Sequence, residues 1–89
     1  MKECVLDGSR LADAEAVYHA LADAFRFPQY FGNNPDALWD ALGDYDGEPV
    51  AIIWPHASQS AISLGPRFAQ IVAVLRRAAA EGVLTLELA

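Results

Sequence analysis

Val50-Ala51-Ile52-Ile53-Trp54 follows Pro49 as an unbroken apolar run. It is short and β-branched, which favours extended backbone over helix. With no polar residue alternating through it, the run predicts a strand buried on both faces. Upstream, Asn34-Pro35 marks a helix start. The asparagine can cap the first N–H groups, and proline fits the first turn, where its missing donor costs nothing. That helix is expected from residue 35 to 42 or 43, where Gly43 can stop it. Further back, Ala14, Val17, Leu21 and Phe25 recur at spacings of three and four, the stripe of a helix beginning near Asp13. Pro28 and Gly32 break the regularity, and Asp7-Gly8 turns the chain after a first strand over residues 2–6. Downstream, a short helix is expected near residues 58–64 and a longer one over 66–80. Phe68, Ile71, Val72, Leu75 and Ala79 form the buried stripe of the longer helix, and Glu81-Gly82 ends it. Residues 83–88 alternate and close as a strand.

The order is strand, helix, helix, strand, helix, helix, strand. Helical crossovers between strands favour parallel pairing. The expected fold class is α/β: a three-stranded parallel β-sheet with about four α-helices, in one domain covering residues 1–89.

Composition narrows the function. The chain has 89 residues and is 54% apolar, enough for a small core with stability of about 5 kcal/mol. Its net charge is −6, from 6 Lys+Arg against 12 Asp+Glu. Nucleic-acid binding needs a basic footprint, which is missing, and an acidic protein suits a basic partner. The charges are uneven: no Lys or Arg stands between Phe27 and Pro66, while Asp36, Asp40, Asp44, Asp46 and Glu48 do. The single cysteine, Cys4, lies in an apolar run and reads as a buried small hydrophobe. Neither an apolar leader nor a run of about 20 apolar residues is present, so a cytoplasmic location and no membrane are expected.

At about 100° per residue along Asp36-Ala37-Leu38-Trp39-Asp40-Ala41-Leu42-Gly43, Leu38 and Leu42 share the core side. Asp36, Asp40 and Gly43 fall opposite, and Trp39 lies on the border. Such a face is poorly chosen for stability. Asp is a weak helix former, and like charges at i,i+4 repel. Local rules broken together on one face suggest a site. The bland alternative is that Trp39 tucks into the core and the acids are ordinary surface charge. The loop before the helix adds Tyr30, Phe31, Gly32, Asn33 and Asn34; the loop after it adds Asp44, Tyr45 and Asp46. Aromatics beside charged groups make a surface suited to a basic, concave partner.

Other chemistries fit less well. Paired carboxylates on one exposed helix face lack the cleft a glycosidase needs. Asp44-Tyr45-Asp46-Gly47-Glu48 has its glycine too early for a calcium loop. His19 and His56 stand apart, without the company of a metal site. The sequence offers no basis for an enzyme, a cofactor or a metal.

Pro28, Tyr30, Gly32, Asn34, Asp36, Ala37, Leu38, Trp39 and Asp40 make the pattern P-x-Y-x-G-x-N-x-D-A-L-W-D, which resembles the helix-and-loop signature of the barstar family. Pro49 and Trp54 fall where that family has its second strand. Ala80-Glu81-Gly82 and Thr85-Leu86 resemble its last helix-strand junction, so the likeness spans essentially the whole chain. The resemblance implies a barstar-like fold and a monomeric intracellular inhibitor. Such a protein binds a small basic extracellular or toxin ribonuclease one to one and protects the producing cell. A second reading is a barstar-fold interaction domain, or an immunity protein for a different nuclease toxin. By the same resemblance Asp40 would enter the phosphate pocket and accept bonds from the catalytic Arg and His. Asp36 and Tyr30 would flank it, while Gly32 and Asn34 would supply backbone contact. Trp39, Gly43 and Tyr45 complete the implied partner-binding set, and the Glu48-Pro49 bond would be cis. Four positions depart from the family's type member: Gly43 for a threonine, Tyr45 for a tryptophan, Pro35 for a leucine, and Arg77 for an acidic residue at the nuclease contact. They bear on which nuclease is bound and leave the role of Asp40 intact.

Overall fold

The computed structural model describes residues 2–28 and 31–89. Along the chain come β1 (Lys2–Val5), α1 (Ala14–Phe25), α2 (Pro35–Asp44), β2 (Val50–Trp54), α3 (Ala57–Leu64), α4 (Pro66–Ala80) and β3 (Leu84–Leu88). The three strands form one parallel sheet in the order β1-β2-β3, with Cys4 beside Ile52 and Ile52 beside Leu86. The α/β expectation therefore holds, with four helices among the described residues.

Local chemistry sets the ends of most elements. Asp13 caps α1 by accepting the Ala16 N–H at 2.9 Å, and Arg26 closes it in a left-handed conformation, φ 58°, with its N–H on the Ala22 carbonyl. Asn34 caps α2 in the same way, accepting the Ala37 N–H at 2.8 Å, with Pro35 in the first turn. Gly65 joins α3 directly to α4 at φ 61°, ψ −139°, backbone that only glycine adopts without strain. Gly8 admits no side chain, because a Cβ there would run into the His56 carbonyl and the Ser60 hydroxyl.

Two expectations need correction. β2 is not buried on both faces. Val50, Ile52 and Trp54 are buried, whereas Ala51 and Ile53 are only half-buried. The strand order runs in one direction without reversal, so crossovers of a single hand put both helix pairs on one face of the sheet. Cys4, Leu6, Val50, Ile52, Trp54 and Leu84 join the helix residues Val17, Leu21, Leu38, Leu42, Ile71 and Leu75 in one core there. On the other face Glu3, Val5, Thr85 and Glu87 are exposed. The implied cis bond at Glu48-Pro49 is also absent; every peptide bond among the described residues is trans. The Tyr45 hydroxyl donates to the Glu48 carbonyl and closes that loop with the trans form.

Trp54 is fully buried, and its indole N–H donates to the buried Ser60 hydroxyl at 2.8 Å. This bond satisfies a donor whose burial would otherwise be costly. It also fixes α3 against the end of β2. In α4 the buried set is Ile71, Val72, Val74, Leu75 and Ala78, with Phe68 and Ala79 at its margin. No described helix is long and apolar enough to cross a membrane.

Candidate functional site

α2 packs on α4 through one side and shows the other to solvent. Leu38 and Leu42 are buried, with relative exposures of 0% and 1%. Opposite them, Asp36, Asp40 and Gly43 are exposed, as the helical spacing predicts.

The end of α2 differs from expectation. Gly43 does not stop the helix; Asp44 is its last residue, and Tyr45 caps it in extended conformation with its N–H on the Leu42 carbonyl. Glycine weakens a helix without forbidding it, and packing of Leu38 and Leu42 carries the last turn over it. The consequence is chemical. Asp44 becomes a ridge residue in place of a loop residue. Asp36, Asp40 and Asp44 stand at i, i+4 and i+8, all exposed, each about 6 Å further along the helix. The sequence carried this signal in the regular four-residue spacing of the three acids, but the glycine obscured it.

The two flanks of the ridge have different characters. On one side a cleft of about 730 Å³ runs between α2 and the end of α1. Phe25, Phe27, Phe31 and Tyr45 give it an aromatic wall; Asp40, Asp44 and Asp46 stand along it, with Lys2 and Arg26 also on its lining. The aromatics hold one another. Phe25 meets Tyr45 edge-on at 5.0 Å between ring centres, and Phe27 lies 4.8 Å from Phe31. On the other side Trp39 is half-buried against the core margin, and the Arg77 guanidinium from α4 lies 4.2 Å above its ring centre. The bland reading of Trp39 is thus half right: it packs inward along one edge and remains a surface group along the other.

The remaining predicted residues fall as follows. Asn34 is exposed, but its side-chain oxygen is committed to capping α2. Gly32 is half-buried on the cleft, where a Cβ would come within 3.2 Å of the Asn34 amide nitrogen. Tyr45 contributes its ring to the cleft wall, and its hydroxyl is occupied by the Glu48 carbonyl. Tyr30 lies outside the described residues. At Gly43 a Cβ would meet nothing within 4 Å, so no internal packing demands a glycine there.

Asp36, Asp40 and Asp44 take part in no ion pair; among the described residues the one ion pair joins Arg10 and Asp7, at 3.9 Å. The ridge is therefore a row of exposed, unpaired carboxylates on a helix anchored from beneath. It can accept several charge-assisted hydrogen bonds at once from a cationic surface. His19 and His56 do not reinforce it. His19 is an exposed residue of α1, and His56 is the left-handed residue preceding α3, with no capping bond from its side chain.

Comparison with known proteins bears on the whole chain. A protein of Bacillus subtilis (strain 168) named "Putative ribonuclease inhibitor YrdF" is 30% identical over 81 residues, which is 91% of this chain and 89% of that protein. The family model described as Barstar (barnase inhibitor) matches residues 1–86 and so takes in β1, β2 and the start of β3, the capped acidic helix and the helix that brings Arg77 to it. With the parallel α/β fold and the match running almost end to end, the chain belongs to the barstar family.

Proposed function

We propose that this protein inhibits a small basic ribonuclease, binding it one to one and covering the active site with the exposed face of α2 and the loops beside it. The observation that carries the reading is the ridge of Asp36, Asp40 and Asp44 on a capped, core-anchored helix. A ribonuclease active site is an array of cations that holds phosphate, so fixed carboxylates are complementary to it. Asp40, at the centre of the ridge, takes the place of a substrate phosphate and accepts hydrogen bonds from the catalytic cations. Asp36 and Asp44 meet the rim. The cleft beside Asp40 receives a partner side chain, and Gly32 borders it. Bare Gly43 lets the partner's backbone come close. Trp39, half-buried and with the Arg77 guanidinium over its ring, borders the acids and contributes its exposed edge.

Rigidity supports the same reading. The ridge is held by the Asn34 cap at one end and by buried Leu38 and Leu42 beneath, so little conformational freedom remains to be lost on binding. The net charge of −6 draws a basic partner from a distance. In this role the protein acts as a monomer in the cytoplasm, guarding the cell that makes the nuclease, with no catalysis of its own.

The test is inhibition of a panel of purified small basic microbial ribonucleases by the full chain, at low and at high salt. Inhibition that weakens steeply with salt and is lost in Asp40→Ala is the expected result. Wild-type inhibition of none of the panel would refute the reading for that class of nuclease. Equal inhibition by Asp40→Ala would remove the ridge from the mechanism.

A further inference from the structure

Arg77 brings a positive charge to the edge of the acidic helix α2. From Phe27 to Pro66 the chain supplies no cation, yet the fold brings one to this flank of α2 from a distant part of the sequence. The guanidinium lies 4.2 Å over the ring of Trp39, which is itself flanked along the helix by Asp36 and Asp40. A guanidinium attracted to a ring face in this way makes no hydrogen bond to it through most of its five N–H donors, which stay available to a partner. Arg77 forms no ion pair with another described residue, and its side chain is exposed.

Resting on the inhibitor reading above, we propose that the Arg77–Trp39 stack selects the partner. It fits a ribonuclease that carries a carboxylate at the rim of its cationic active site, facing the flank of α2. An unbroken acidic face would attract any basic nuclease. A cation fixed at its edge penalises a partner whose positive surface extends over that edge, and rewards one with an acid there. The contact provides the fixity: an arginine held over an indole keeps its guanidinium in one place, and the planar fork of that group suits bidentate pairing with a carboxylate. The competing explanation is purely local. Arg77 lies in the last turn of α4, where a positive charge is favoured by the helix dipole.

These explanations separate in an inhibition assay on the full chain, with wild type, Arg77→Glu, Arg77→Lys and Asp40→Ala measured against the ribonuclease panel. Against the nuclease that wild type inhibits best, Arg77→Glu is expected to raise the inhibition constant roughly tenfold or more. Arg77→Lys is expected to be intermediate, keeping the charge and losing the planar pairing. An Asp- or Glu-to-Lys change at the nuclease rim is expected to restore inhibition by Arg77→Glu. Tighter inhibition of every nuclease by Arg77→Glu, or constants unchanged beside a lowered melting temperature, would overturn the proposal. In either case Arg77 would be only a misplaced charge or a helix-end group. Loss of inhibition in Asp40→Ala with Arg77→Glu silent would defeat the selector and spare the inhibitor reading. Absence of wild-type inhibition throughout would defeat both.

Discussion

Replacing Asp40 by alanine should make the protein more stable and less functional. Asp40 is exposed, and its carboxylate takes part in neither a hydrogen bond nor an ion pair among the described residues. It has a like charge one turn before it, at Asp36, and one turn after it, at Asp44. Each such i,i+4 repulsion costs about 0.2–0.5 kcal/mol on an exposed helix. Alanine is also the better helix former, by up to about 0.7 kcal/mol. Together these put the gain near 1 kcal/mol at low salt, of a total of about 5 kcal/mol. For a domain of this size such a gain raises the melting temperature by about 4–8 °C. The assay is paired: thermal and urea melts of both proteins at low and high ionic strength, and inhibition of the ribonuclease panel. The stability gain should shrink with added salt as the repulsion is screened. Inhibition should fall by orders of magnitude more than the change in stability can explain. A destabilised Asp40→Ala would refute the reasoning, because the carboxylate would then be a structural group and the ridge no evidence of a binding face.

Three further expectations rest on the same structure. Leu38→Ala, two residues away but facing the core at 0% exposure, should destabilise by about 2–5 kcal/mol in urea melts and weaken inhibition only as far as it unfolds the protein. Gly43→Ala should stabilise α2 by up to about 1 kcal/mol, since the position is helical and the added methyl meets nothing, while inhibition weakens because the methyl stands where the partner approaches. Burial pushes the Cys4 thiol above its ordinary range, offset in part by the charge of Lys2, so the fold favours the neutral thiol. That contribution is fully present below the unfolded thiol's pKa of about 8.5 and is lost as pH rises above it. Urea melts at pH 7 and pH 9.5 should show the decline, and alkylation by iodoacetamide should be slow in the folded chain and fast in urea.

Much of this protein is determined by local sequence. Apolar periodicity located the helices, because residues at spacings of three and four must share a face whatever surrounds them. Asp13, Asn34 and Pro35 marked helix starts because capping is a contact between near neighbours. The strand-helix-helix-strand order set parallel pairing through the geometry of crossovers. The acidic face was legible for the same reason: Asp36 and Asp40 oppose Leu38 and Leu42 on any regular helix. What the sequence left open depended on contacts across the fold. Gly43 reads locally as a stop, and only packing beneath α2 shows that the helix continues and recruits Asp44 to the ridge. The run at Val50–Trp54 reads as buried on both sides, and only the strand order reveals that the helices cover one face. Trp54 finds its hydrogen-bond partner in Ser60 because the turn after β2 lays α3 against the strand's end. Arg77 and Trp39 stand 38 positions apart in the chain, and no local rule joins them. Their contact, and with it a cation beside the acidic face, exists because α4 packs on α2. Short-range sterics and hydrogen bonding act within a few residues and are written in the sequence; the choice of which surfaces meet belongs to the whole core.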